Sequence, residues 1–285
     1  MRKIPFTKMQ GAGNDYIYVD CFAFPFDFDP ADLARKMSPR HFSVGGDGVV
    51  LILPSKKADA MMRMFNLDGS EGKMCGNAIR CVAKYLADHG LTKKDIITVE
   101  TLSGIKTLRL FKEAGKVVRV SVEMGKAVFC PKEIPVLFEG AEMVDEPVTV
   151  LSKQYRMTAV SMGNPHAVIF TSGVKELDLA KMGPTFETLP FFPERVNTEF
   201  AEQLDDHTLL MRVWERGSGE TFACGTGASA TVAAAVKTGR VQAGEEITVR
   251  LLGGDLTITV DADNSVTMTG PATEVYQGVY DYDEN

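Results

Sequence analysis

Hydrophobic positions along this 285-residue chain alternate over short runs far more often than they recur at helical spacing. The runs YIYVD, GVVLIL, ADAMMRMFN, IITVET, KVVRVSVEM, RMTAVSM, HAVIFT, TLLMRVWER, EITVRL, LTITV and SVTMTG are bounded by Gly, Asn, Asp and Pro and predict strands. Only ADLARKMS, NAIRCVAKYLADHG, VKELDLAKMGP and GASATVAAAVKTG predict helices. Few helices among many strands predict an α/β fold of the α+β type, in which a curved, mostly antiparallel sheet or barrel wraps a central helix. The Ala-rich residues 228–236 predict burial, since small side chains let strands approach closely from all sides. Residues 130–152 carry the strand-like PKEIPVLF and EPVTVL and are expected to cross between lobes.

The same pattern occurs twice. At an offset of 149, Met62-Arg63 falls on Met211-Arg212, Phe65 on Trp214, Glu71 on Glu220 and Cys75-Gly76 on Cys224-Gly225. Gly13-Asn14 before YIYV matches Gly163-Asn164 before AVIF, and ITVETLSGIKTL matches ITVRLLGGDLTI, both at 150. Ordered blocks at constant spacing predict an internal duplication and two pseudo-symmetric lobes. The lobes are expected to span residues 1–124 with 271–285, carrying Cys75, and residues 125–270, carrying Cys224, with the active site in the cleft between them.

Charge narrows the ligand class. The net charge of -7 and the absence of a Lys/Arg-rich run argue against nucleic acid or an anionic membrane as partner and favour a small polar molecule. The early basic residues are followed by no apolar core, and runs such as VVLIL are too short to span a bilayer, so a cytoplasmic protein is expected. Five cysteines without a CxxC pair suggest reduced thiols rather than a disulfide frame.

Cys75 and Cys224 each open a Cys-Gly-polar turn into an Ala-rich helical stretch. A free thiol, with a pKa of about 8.5, is a few per cent thiolate at pH 7, and a helix N-terminus can lower that value toward roughly 3.5–7.5. If both thiols face one carbon, the first thiolate disfavours the second, so the resting pair is expected to share one proton. One thiolate and one thiol can take a proton from one face of a carbon and return one to the other. Gly76-Asn77 and Gly225-Thr226 would let a carboxylate approach the helix-start N–H groups, which also stabilise charge developing toward an enolate. The plainer reading of both cysteines is as small buried hydrophobes.

The blocks GAGNDY, MFNLDGSEGKMCGNAIRC, GNPHAV, RVNTEF, WERGSGETFACGTGASA and GPATEVYQG resemble diaminopimelate epimerases along essentially the whole chain. The resemblance implies conversion of LL- to meso-diaminopimelate without pyridoxal phosphate or metal, in the supply of lysine and peptidoglycan. It also implies two α/β lobes, the first completed by the C-terminal strand, and a homodimer. Cys75 and Cys224 would be the two acid/base groups, and Gly76, Asn77, Gly225 and Thr226 would hold the reacting carboxylate. Asn14 would lie near the reacting amino group. Asn66, Asn164, Asn197 and Arg216 would bind the distal carboxylate, and Glu215 the distal ammonium, as forked donors and an acceptor should. His166 matches a position near the cysteines that could orient one of them, with a structural histidine as the alternative.

Other residues have duller expectations. An Asn after Gly is often a turn former, and an adjacent Glu-Arg pair is usually a solvated face. His41, His89 and His207 are expected at the surface or in packing roles, and Cys21, Cys81 and Cys130 in packing; Cys75 and Cys81 are not expected to share a metal. Gly48 stands where many members of the resembled family have a glutamine that contacts substrate, which puts the grip near Asn14 in question. The rival functions are a racemase for another amino acid, which would not need the distal set, and a redox protein cycling a Cys75–Cys224 disulfide.

Overall fold

The computed structural model describes residues 2–25 and 27–283. The chain divides into two compact units, Met1–Val122 with Gly270–Asn285, and Glu123–Thr269.

In the first unit, strand Arg2–Gly11 lies between two antiparallel neighbours, Asn14–Asp20 and the C-terminal Thr273–Tyr282. Asn14–Asp20 pairs in parallel with Gly48–Leu53, which pairs antiparallel with Ala60–Asn66. That strand continues in parallel to Ile96–Thr101 and from there, antiparallel, to Gly104–Glu113. Helix α1, Pro30–Met37, starts where the Asp29 carboxylate accepts from the Ala31 N–H at 2.9 Å, with Pro30 at the position that needs no donor. It buries Leu33, Ala34 and Met37 against Ile17, Leu51 and Phe65. Helix α2, Gly76–Asp88, has ten of its thirteen residues buried, so it runs through the sheet's interior rather than over its surface. Even Arg80 is fully buried, and it donates to Pro271 O, Gly76 O and Asn77 Oδ1, tying the helix to the C-terminal segment.

The second unit repeats this plan. Lys153–Ser161 lies between antiparallel neighbours Glu146–Val150 and Pro165–Phe170. The order then runs parallel to Asn197–Asp205, antiparallel to Thr208–Glu215, parallel to Glu246–Leu251 and antiparallel to Gly254–Val260. The sequence of pairing senses is that of the first unit. Side chains repeat as well: Arg63 grips Glu71, and Arg212 grips Glu220, each with Nε to Oε1 at 2.7 Å. Among the described residues the other two helices are α3, Leu179–Glu187, and α4, Gly225–Lys237. Ten of the thirteen α4 residues are buried, as its alanines predict. The core beside it is aromatic, with Phe186 edge-on to both Tyr155 and Phe200 at centroid distances of 5.2 and 5.1 Å.

Three expectations change. Residues 174–184 do not form one helix: a short 3-10 turn, Val174–Glu176, precedes α3, because the Asp178 carboxylate accepts from the Lys181 N–H and restarts the helix there. Residues 130–152 are part of the second unit's body rather than a crossing segment, since Ile134, Val136, Met143 and Val148 are buried in its core. Cys130 is exposed, not packed, whereas Cys21 and Cys81 are buried. No helix among the described residues is long and apolar enough to cross a membrane.

Candidate active site

Cys75 occupies the position just before α2, in extended backbone, and its Sγ accepts from the Ala78 N–H at 3.5 Å. A thiol thus does what a serine or aspartate does at other helix starts. The same sulfur donates to Asn14 Oδ1 at 3.4 Å. Asn14 is itself fixed, since its Nδ2 donates to Asp47 at 2.6 Å and Arg40 holds both Asp47 and Asp15. Burial opposes ionisation of Asp15, but hydrogen bonds from Arg40 and Lys8 overcome it and hold the carboxyl below its ordinary range. Asp47 goes the other way: burial and the charge of Asp15 raise it despite Arg40. Asn66 receives the Tyr16 hydroxyl at 3.5 Å and donates to Ser70 at 3.0 Å. Asn77 is buried with its side-chain oxygen on Arg80, so what it presents at the helix start is its backbone N–H.

At Gly48 the backbone itself excludes a glutamine. A Cβ there would lie 2.0 Å from Phe65 O and 2.9 Å from the Tyr16 ring, so the space that a longer side chain would use is already filled.

The second unit builds the equivalent half-site from equivalent elements. Cys224 precedes α4, and its Sγ accepts from the Gly227 N–H at 3.4 Å and lies 3.5 Å from Thr226 Oγ1. Asn164 contributes Nδ2 to Thr226 Oγ1 at 3.5 Å and Oδ1 to His166 Nε2 at 3.1 Å. His166 is fully buried and its Nδ1 lies 2.7 Å from Glu199 Oε1. Asn197 is buried and bonded to backbone at both ends, to Pro165 O and to the Arg216 N–H. Arg216 is exposed, with Nη1 on Glu194 O at 2.9 Å, and Glu215 is half-buried and accepts from Thr221.

The helix start does not decide the ionisation of Cys224. Burial, followed by the charges of Glu215 and Glu199, pushes this thiol well above its ordinary value, and the Thr226 and Gly227 hydrogen bonds recover only part of the shift. The expected lowering is overridden because Cys224 is buried and lies near carboxylates. Burial thus favours the thiol form of Cys224.

A family model described as diaminopimelate epimerase matches residues 6–130 and 158–275. The chain belongs to the diaminopimelate epimerase family. Its relatives include diaminopimelate epimerases of Desulfovibrio desulfuricans, 55% identical with 96% of this chain and 97% of the relative covered, and of Bacillus anthracis, 48% identical with 99% of both covered. The match to a Methanococcus maripaludis diaminopimelate epimerase is 53% identical over 97% of this chain and 99% of that one. Solved structures sharing the fold include a Bacillus anthracis phenazine biosynthesis protein of the PhzF family, with TM-score 0.73, 19% identity and 99% and 100% of the two chains covered. A hydroxyproline epimerase from Agrobacterium vitis shares it too, with TM-score 0.68, 19% identity and coverage of 98% and 92%.

Within this family member, the first unit brings Asn14 to the α2 start that Gly76 and Asn77 form, while Asn66 bonds Tyr16 and Ser70. The second gathers Asn164, His166, Gly225 and Thr226 around the α4 start, and Asn197 joins Arg216 to the end of its strand. Sequence reasoning missed the residues that hold these in place. Glu187 accepts from Trp214 at 2.8 Å and from the Gly217 N–H at 3.1 Å, bracing the turn that carries Glu215 and Arg216. Burial opposes it, but those donors and Arg195 keep Glu187 below its ordinary value. Glu199 was legible only as a charged residue inside the run VNTEF, which the structure buries throughout.

Proposed function

We propose that this protein converts LL-2,6-diaminopimelate to meso-diaminopimelate by a two-base mechanism that uses Cys75 and Cys224, in the supply of lysine and of peptidoglycan precursor. The observation that carries the reading is the pair of thiols at equivalent helix starts, each held by the N–H three residues on, in a chain of this family. Epimerisation needs an acid and a base on opposite faces of one α-carbon.

In this reading burial favours the thiol form of Cys224, which makes it the acid toward the LL substrate and leaves the base role to Cys75. Cys75 removes the α-proton, Cys224 supplies one from the other face, and the protonation states are then exchanged. The carbanion is the high point of the path, and its carboxylate is where the charge gathers. Backbone N–H groups at Gly76, Asn77, Gly225 and Thr226 are positioned before the reaction and lose nothing in reorganising, which makes them effective there. Sulfur acids and bases with tuned pKa values supply the proton transfers without an electron sink.

Selection of one centre comes from the far end of the molecule. Asn66, Asn164, Asn197 and Arg216 supply donors for the distal carboxylate and Glu215 an acceptor for the distal ammonium. A distal centre of the wrong configuration would place charge against like charge. Another amino acid lacking that end would leave these groups unpaired, a difference worth orders of magnitude in discrimination. Asn14, held by Asp47, is placed to meet the reacting amino group. The net charge of -7 supports a small-molecule ligand over nucleic acid.

The test is chiral analysis of LL-diaminopimelate incubated with the reduced protein, without added cofactor, beside L-lysine and L-proline. Formation of the meso isomer alone, with neither control racemised, is the expected result. Racemisation of a control at a comparable kcat/KM would assign the protein to another amino acid.

A further inference from the structure

Glu199 takes no part in the reaction as written, yet it is fully buried beside the second half-site. Its Oε1 lies 2.7 Å from His166 Nδ1, and its Oε2 is buried with no hydrogen-bond partner among the described residues. An isolated buried carboxylate charge is too costly to keep, so the proton in the Oε1–Nδ1 contact makes the pair neutral as a unit. That proton can rest on either atom. In both cases His166 Nε2 must carry a proton of its own to make its 3.1 Å contact, because the Asn164 Oδ1 it faces can only accept.

The direction of each following bond is then fixed. With Oδ1 taken by His166, the Asn164 amide turns its Nδ2 toward Thr226 Oγ1 at 3.5 Å. With that oxygen accepting, the Thr226 hydroxyl has its proton for Cys224 Sγ, also at 3.5 Å. We infer that Glu199 is a positioning residue: through His166 it fixes the Asn164 amide with its donor side toward Thr226 and thereby aims the Thr226 hydroxyl at the Cys224 sulfur. Sharing the proton with His166 removes the bare Glu199 charge that would oppose ionisation of Cys224, and a hydroxyl donating to sulfur favours the thiolate, so the relay works against the burial of this thiol and makes its proton easier to lose. The same polarity leaves Asn164 presenting N–H rather than oxygen to an anionic ligand. Space is reserved for the arrangement at Gly227, where a Cβ would lie 2.7 Å from Glu199 Oε1 and 3.3 Å from Cys224 Sγ.

The inference rests on the diaminopimelate reading only for what Asn164 binds, and its test separates the two. Glu199→Gln and Glu199→Met both leave the pair without net charge, but only the glutamine can still donate to His166 Nδ1 and keep the proton on Nε2. Iodoacetamide alkylation of the Cys224 peptide in the free protein, read by mass spectrometry, needs no substrate. Losing one oriented hydrogen bond of about 1.4 kcal/mol corresponds to about tenfold. Glu199→Met is expected to slow Cys224 alkylation about tenfold, leave Cys75 within twofold, and raise KM for diaminopimelate; Glu199→Gln is expected within about threefold of wild type. Equal rates in wild type and Glu199→Met, or equal loss in both variants, would overturn the relay. Nitrogen NMR of 15N-histidine protein, with His166 assigned by its absence in His166→Asn, decides even if Glu199→Met fails to fold. The relay requires a protonated Nε2 in the wild type, and a bare Nε2 there contradicts it.

Discussion

Cys75 and Cys224 hold the same place in two helices but differ in surroundings: Cys75 is half-buried with Asn14 against its sulfur, while Cys224 is buried and faces Glu215 and Glu199. A positioned acid or base is worth about 100- to 10,000-fold. Cys75→Ala and Cys224→Ala should each therefore lower kcat by at least about 1,000-fold with the circular dichroism spectrum unchanged. Turnover near the wild-type level in either variant would remove that cysteine from the chemistry. The pH dependence follows from the pair. Activity needs one proton shared between the two sulfurs, so kcat/KM should be bell-shaped and of the same shape in both reaction directions. Because the folded value of Cys224 is raised, the singly protonated pair persists as pH rises, and the alkaline limb should fall above the ordinary thiol value of about 8.5. An alkaline limb at or below that value would show that burial does not control this thiol. At Gly48, a Cβ meets a backbone carbonyl that no rotamer change can move. Gly48→Gln should cost at least about 3 kcal/mol in urea unfolding, the scale of severe overpacking, rather than restore a substrate contact.

At the scale of elements, α2 illustrates how a buried helix is tied at both ends. Cys75 caps its start, and Asp88 at its end receives Lys84 Nζ at 2.8 Å and the Val117 N–H at 3.0 Å. Burial raises the Asp88 carboxyl, but those bonds outweigh it and hold the folded value below the ordinary one. A lowered carboxylate adds stability above its unfolded value of about 3.9 and loses it as pH falls through the folded value. Asp88→Asn should thus be less stable than wild type by about 1–3 kcal/mol at pH 7. The gap should close below about pH 4 as the wild-type carboxyl takes up its proton; a constant gap over the whole range would show that its charge is not involved. Strands with clean alternation, such as Ala60–Asn66 and Ile96–Thr101, were legible in the sequence, as were α2 and α4 from their Cys-Gly starts. The edges were not. Arg2–Gly11 hides its pattern behind Lys3 and Pro5, which are exposed, and Lys8, which is buried through its ion pair with Asp15. Thr273–Tyr282 is largely exposed, so no apolar face marks it, and it is defined by pairing with residues some 270 positions earlier. The residues that touch substrate in the proposed mechanism were visible as motifs, whereas Asp47, Glu187 and Glu199 act through contacts distant in sequence and left no periodic trace.

Across the whole molecule, the two units repeat one order of strand pairings, one buried helix and one arginine–glutamate grip. The repetition supplies one kind of thiol at two equivalent helix starts, as the proposed two-base reaction requires. The half-sites depart from symmetry in what surrounds each thiol. His166 and Glu199 reach Thr226 beside Cys224 through Asn164, whereas Asp47, held by Arg40, fixes Asn14 beside Cys75. The claim that two separate thiols act on one carbon makes a specific isotopic demand. LL-diaminopimelate is converted in D2O, and the deuterium content at the α-carbon is measured in both product and residual substrate during the first few per cent of turnover. Two bases deliver a solvent-derived hydron to the product from the sulfur that did not abstract, so the meso product should be fully deuterated at one α-carbon while the remaining LL substrate stays protonated. Meso product that retains the original proton, or substrate that gains deuterium as fast as product forms, would mean that a single group serves both faces and would contradict the account.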